Sequence, residues 1–281
     1  MPMDDGMKST GCETDLLAAI DPEIVAALDA RAAEIARGAS MNAKLVAMLA
    51  LGSVPIALGA LARDVYGQTP SDVVDVLQFA LLLEYLEAEF YSRGLSAGNL
   101  IPSTDRTVFT TIASHESAHV TALSTLLQSK GTTPRVKPSF DFTAKGNVAN
   151  FAFLPAQYGT FTMLAQAFED TGVRAYKGQA GRLIGDKAVL TAAMTIHSVE
   201  GRHAAAVRRL RGKKGWISNA SRDDLPAFFQ GVYDGEDNTT HAAVNVTGFA
   251  TNFGGAVSAT EAFDEPLTMA QVLAIVTPFV T

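Results

Sequence analysis

Glu116-x-x-His119 and Glu200-x-x-His203 are two copies of one short pattern, a carboxylate followed three residues later by an imidazole. On a helix, residues i and i+3 lie within about 60° of each other, so both side chains of a copy can reach one point. Carboxylate oxygen joined by imidazole nitrogen suits iron or manganese, and the lack of thiolate argues against copper(I) and structural zinc. Taken singly the pattern is weak, because a solvated Glu/His pair has the same spacing. Two further acids strengthen it. Glu84 and Glu169 each precede a tyrosine by seven residues, Tyr91 and Tyr176. Glu84 to Glu116 is 32 residues and Glu169 to Glu200 is 31. The chain carries one design twice, a Glu and then a Glu-x-x-His.

All six side chains fall on apolar stripes. Glu116 and His119 project among Ile112, Leu123 and Leu126, and Glu200 and His203 among Val189, Ile196 and Val207. Glu84 sits within the stripe Val74, Leu77, Leu81, Ala88 and Tyr91, and Glu169 lies beside Ala165, Phe168 and Tyr176. Four carboxylates facing one core would each cost several kcal/mol of desolvation and would repel one another. Two divalent cations balance four glutamates and leave two neutral imidazoles as further ligands. The expected site is therefore a pair of iron or manganese ions held by Glu84, Glu116, His119, Glu169, Glu200 and His203. Glu87, one turn past Glu84, stands at the edge of the inward face as a rim charge or an extra acid. His115 and His197 read as surface histidines, with a hydrogen bond to a ligand as the alternative, and Tyr91 and Tyr176 as core packing, with electron relay near the metals as the alternative.

Four helices must carry these residues. The apolar periodicity places them over about 70–94, 103–130, 155–178 and 186–212, the second ended by Gly131 and the last stopping near Gly215. Thr69-Pro70-Ser71-Asp72 is a helix start, with a capping oxygen, a proline and an early acid. Residues 131–153, with Pro134, Pro138 and Gly146, form a long crossover between the second and third helices. The pattern predicts an all-α four-helix bundle over 69–214. A loop-rich extension follows over 215–281, closed by a short helix from Thr268 to about Val276.

The remaining composition removes several classes of function. With 281 residues, 48% hydrophobic and 18% charged, the chain has ample material for a core. A net charge of −7 without a basic block makes nucleic acid a poor partner. A single cysteine, Cys12, excludes a disulfide framework, a four-cysteine metal site and a CxxC redox motif. Residues 1–68 read as a leader helix near 22–37 followed by the uncharged run 45–62, which resembles an export signal able to contact a membrane, with a buried N-terminal hairpin or a transmembrane anchor as alternatives. The expected location is exported, periplasmic or membrane-proximal, with a cytoplasmic one as the alternative.

The segments Leu83-Glu84-Tyr85-Leu86-Glu87-Ala88-Glu89-Phe90-Tyr91 and Phe168-Glu169-Asp170-Thr171-Gly172-Val173, with the two Glu-x-x-His pairs, resemble the ferritin-like superfamily. The likeness is to the branch of bacterial ferritin-like domain proteins and plant desiccation-related proteins, and it covers about 70–212. It implies a ferritin-like bundle whose bridging and terminal carboxylates are Glu84, Glu116, Glu169 and Glu200, with His119 and His203 as imidazole ligands. Bacterial members often begin with a twin-arginine export signal; here the apolar run has no Arg-Arg before it. The expected activity is reaction with oxygen or peroxide, as a ferroxidase or a catalase- or peroxidase-like protein in stress protection, in a homo-oligomer. The alternative is a non-catalytic structural or desiccation-associated protein whose metals only stabilise the bundle.

Overall fold

The computed structural model describes residues 70–241 and 243–281. The leader helix, the apolar run 45–62, Thr69 and Cys12 lie outside the described residues. Four long helices form the bundle: α1 (Pro70–Ser96), α2 (Ser103–Ser129), α3 (Tyr158–Ala180) and α4 (Lys187–Leu210). Two short ones follow, α5 (Ala256–Thr260) and α6 (Met269–Val276). Short links join α1 to α2 and α3 to α4, so each pair packs as an antiparallel hairpin. Contacts of α1 with α3 and of α2 with α4 then close the bundle. The expected all-α architecture is present, with a few differences at the ends.

Local chemistry explains most of the boundaries. Helix α2 ends at Ser129 with Lys130 as its C-cap, and Gly131 follows at φ 69°, a left-handed turn that glycine takes without Cβ strain. Helix α4 begins where the Asp186 carboxylate accepts the backbone N–H of Val189 at 3.2 Å. It ends at Leu210, earlier than the sequence suggests, because Gly212 at φ 70° makes the turn before Gly215 is reached. The third helix opens with a 3-10 turn over Pro155–Gln157 and becomes α-helical only at Tyr158. Thr268 and Gln271 form a reciprocal capping box at the start of α6. Helix α5 is absent from the sequence expectation, and its five residues are too few to show periodicity.

Helices α1 and α3 are buried on nearly every side, which a stripe pattern does not anticipate. The crossover 131–153 lies over α1: Arg135 donates its backbone N–H to Gln78, and Phe90 packs against Phe142, Phe151 and Phe153. Helix α3 is covered by the C-terminal extension, with Phe168 edge-on to Phe279 and Leu267 donating its N–H to the Arg174 carbonyl at 3.1 Å. A Cβ on Gly178 would lie 1.9 Å from the Leu267 carbonyl oxygen, so only glycine admits this close crossing. Fully buried side chains such as Leu81, Phe90 and Phe161 each contribute about 1.5–3 kcal/mol. That burial helps offset the cost of the polar groups at the bundle's centre.

Candidate metal centre

Glu84, Glu116, Glu169 and Glu200 are each 0% exposed, and His119 and His203 are 7% and 4% exposed. One comes from α1 (Glu84), one from α3 (Glu169), two from α2 and two from α4. On α2, the buried neighbours are Ile112, Leu123 and Leu127, so the stripe turns through Leu127 in place of the expected Leu126. On α4 they are Val189, Ile196 and Val207, as expected.

The six side chains converge as two overlapping groups. Glu84, Glu116, His119 and Glu200 form one, and Glu116, Glu169, Glu200 and His203 the other, with donor atoms in each lying within 4.8 Å of one another. Glu116 and Glu200 belong to both. Nδ1 of His119 is 3.1 Å from Glu84 Oε2, 3.2 Å from Glu116 Oε2 and 3.1 Å from Glu200 Oε1. Nδ1 of His203 is 2.8 Å from Glu116 Oε1 and 3.3 Å from Glu169 Oε2. Among the described residues, the ion pairs of these four glutamates involve only these two histidines.

Two tyrosines tie the hairpins together. The Tyr91 hydroxyl on α1 donates to Glu169 Oε1 on α3, and the Tyr176 hydroxyl on α3 donates to Glu84 Oε1 on α1. Burial raises both phenols well above their ordinary range, so they remain donors. Both tyrosines pack in the core as expected, and in addition each holds the carboxylate of the opposite hairpin.

Burial pushes Glu84 up to about 8, although the His119 imidazole pulls the other way. Burial also raises Glu169, Glu87 and Glu200, and charge repulsion from Glu116 adds to each rise. Glu116 is the exception, since the imidazoles of His119 and His203 beside it outweigh its burial and bring it down to about 2. The surrounding carboxylates overcome the burial of His119 and His203 and lift them to about 12 and about 10. Without a cation, the cluster gathers protons to compensate its own charge.

Bound metal fits what the side chains leave open. Glu116 Oε1, Glu169 Oε2, both Glu200 oxygens and His203 Nδ1 are buried without a hydrogen-bond partner. Such orphaned lone pairs cost about 1–3 kcal/mol each unless something electropositive meets them. Oxygen ligands lie about 2.0–2.6 Å from hard cations, so donors around one ion lie within about 5 Å of each other, as each group here does. Oxygen-rich sets with one imidazole suit iron or manganese.

Two residues outside the expected six lie beside the centre. Glu87 is only 3% exposed and is repelled by Glu200, Glu116, Glu169 and Glu84. It faces Gly172, where an added Cβ would meet Glu200 Oε2 at 3.1 Å and Glu87 Oε1 at 3.5 Å. Gly172 is the residue that the internal repeat aligns with Glu87. One hairpin supplies a carboxylate, and the other supplies the space for it. His115, expected at the surface, is exposed as predicted but reaches His203, with its Nδ1 2.9 Å from His203 Nε2. His197 is half-buried on α4 beside the Val173 backbone and belongs to neither donor group.

A bundle of two helix hairpins joined by a long crossover, with this doubled acid and imidazole set at its centre, defines a class of protein. The chain belongs to the ferritin-like domain family, whose model matches residues 72–213. The match spans all six residues and ends where α4 gives way to the C-terminal extension. A comparison with curated protein sequences finds no significant match. Among the described residues, no helix is long and apolar enough to cross a membrane.

Proposed function

We propose that this protein holds two iron or manganese ions and acts on oxygen or peroxide. Glu84 and His119 would serve one ion, Glu169 and His203 the other, and Glu116 and Glu200 both. The observation that carries this reading is the doubled donor set, in which two buried carboxylates are shared and five donor atoms lack a hydrogen-bond partner. Bound there, a redox-active pair supplies the electrons that O–O bond chemistry exchanges.

The chain's own residues do the rest. Tyr91 and Tyr176 hold the outer carboxylates in one orientation, which lowers the reorganisation needed when an ion arrives. Burial of all four glutamates keeps bulk water away from the centre. The protons that the metal-free cluster retains leave as cations take their place. Glu87 borders a small pocket with Leu83, Leu86, Phe168, Thr171, Gly172 and Val276.

Two assays on metal-loaded protein test the proposal, oxygen release from hydrogen peroxide at an electrode and ferrous oxidation followed by absorbance. Turnover in either that vanishes in Glu116→Ala supports it. Full metal content with no turnover in both would favour a purely structural role for the ions.

A further inference from the structure

The internal repeat aligns His119 with His203, yet the surroundings of the two imidazoles differ. His203 turns Nδ1 toward Glu116 and Glu169 without making a hydrogen bond there. Its opposite nitrogen, Nε2, lies 2.9 Å from Nδ1 of His115, and the two rings are nearly parallel, 13° apart. An imidazole that offers the Nδ1 lone pair to a cation carries its proton on Nε2, and that N–H requires an acceptor. Nδ1 of His115 is the atom in place to accept it. His115 then bears its own proton on Nε2, and because its side chain is exposed, that N–H has access to water.

The other half lacks this arrangement. The repeat puts Val199 where His115 stands, and valine has no polar side-chain atom to offer. Among the described residues, the polar contacts of His119 all run through Nδ1 to Glu84, Glu116 and Glu200.

We propose that His115 is a positioning residue for the His203 side of the centre. It fixes the tautomer and ring orientation of His203 and strengthens it as a ligand, so this side binds its ion more tightly than the His119 side. The inference rests on the metal reading above. A hydrogen-bonded partner behind a metal-binding histidine typically changes affinity by about 10–100-fold when removed, which sets the size of the effect.

The test is titration of Mn2+ into chelator-stripped full-length protein, wild type against His115→Leu and His115→Asn, followed by calorimetry. Because His115 is exposed, the variants should keep wild-type far-UV circular dichroism, which is checked first. Wild type is expected to bind in two steps. His115→Leu should weaken the tighter step by about 10–100-fold and spare the other. His115→Asn should recover most of the loss, since its Oδ1 occupies the place of the imidazole Nδ1. In 15N-edited NMR spectra of the metal-free proteins, a slowly exchanging His203 Nε2–H signal should appear in wild type and the Asn variant and disappear in the Leu variant. Unchanged binding in His115→Leu, equal weakening of both steps, or failure of Asn to recover would each overturn the role of His115 while leaving the metal reading intact. Wild-type protein that takes up no Mn2+ would overturn both.

Discussion

Replacing Glu84 by glutamine should stabilise the metal-free protein at alkaline pH and leave it unchanged in acid. Glu84 is 0% exposed, and burial lifts it from 4.5 to about 8. Its folded pKa is raised, so its contribution to stability is fully present below pH 4.5 and is lost as pH rises toward about 8. Within that window the folded chain binds more protons than the unfolded chain, and stability must fall with pH. At 1.36 kcal/mol per pKa unit, the accumulated cost at pH 8 is about 4 kcal/mol. Glutamine cannot ionise, and its amide oxygen still accepts the Tyr176 hydroxyl. Part of the gain is returned, because His119 loses an anionic partner 3.1 Å away. The assay is urea unfolding in chelator, followed by far-UV circular dichroism across the window. Glu84→Gln should be more stable than wild type by up to about 4 kcal/mol at pH 8 and equal to it near pH 4.5. Equal pH slopes for the two proteins, or a less stable variant at pH 8, would refute the reasoning.

The shared and unshared ligands should separate by elemental analysis. Glu116→Ala is expected to retain no metal, and Glu84→Ala to retain about one ion per chain where wild type holds about two. Cation uptake should release protons, read as a dependence of calorimetric heat on buffer ionisation enthalpy, and affinity should fall as pH is lowered. Gly178→Ala drives a methyl group into the Leu267 carbonyl 1.9 Å away and should cost about 1–3 kcal/mol or more in urea unfolding. That variant should still bind metal, because its damage lies where the C-terminal extension crosses α3.

The six donor residues were legible because helix geometry converts spacing into direction. Glu-x-x-His and the tyrosine seven residues after each outer glutamate repeat in register, and the repeat remains visible without any coordinates. Glu87 was harder to place. Its role depends on α1 being covered on both sides, and the covering segment is an irregular crossover with no periodicity to read. His115 is legible only in part, for a related reason. Exposure and position on α2 mark it as a surface residue, and its significance lies in one nitrogen that meets a residue 88 positions away. The crossed Tyr–Glu bonds likewise join different hairpins, and composition alone gives no sign of which tyrosine reaches which acid. For Glu87 the repeat carries one sign, its alignment with Gly172.

The most direct measurement of the central claim is anomalous X-ray diffraction from crystals of protein reconstituted with iron or with manganese. Two peaks are expected in each chain, both enclosed by α1–α4, with Glu116 and Glu200 touching each of them. Peaks located elsewhere on the chain, or an empty centre in protein saturated with both metals, would contradict the account.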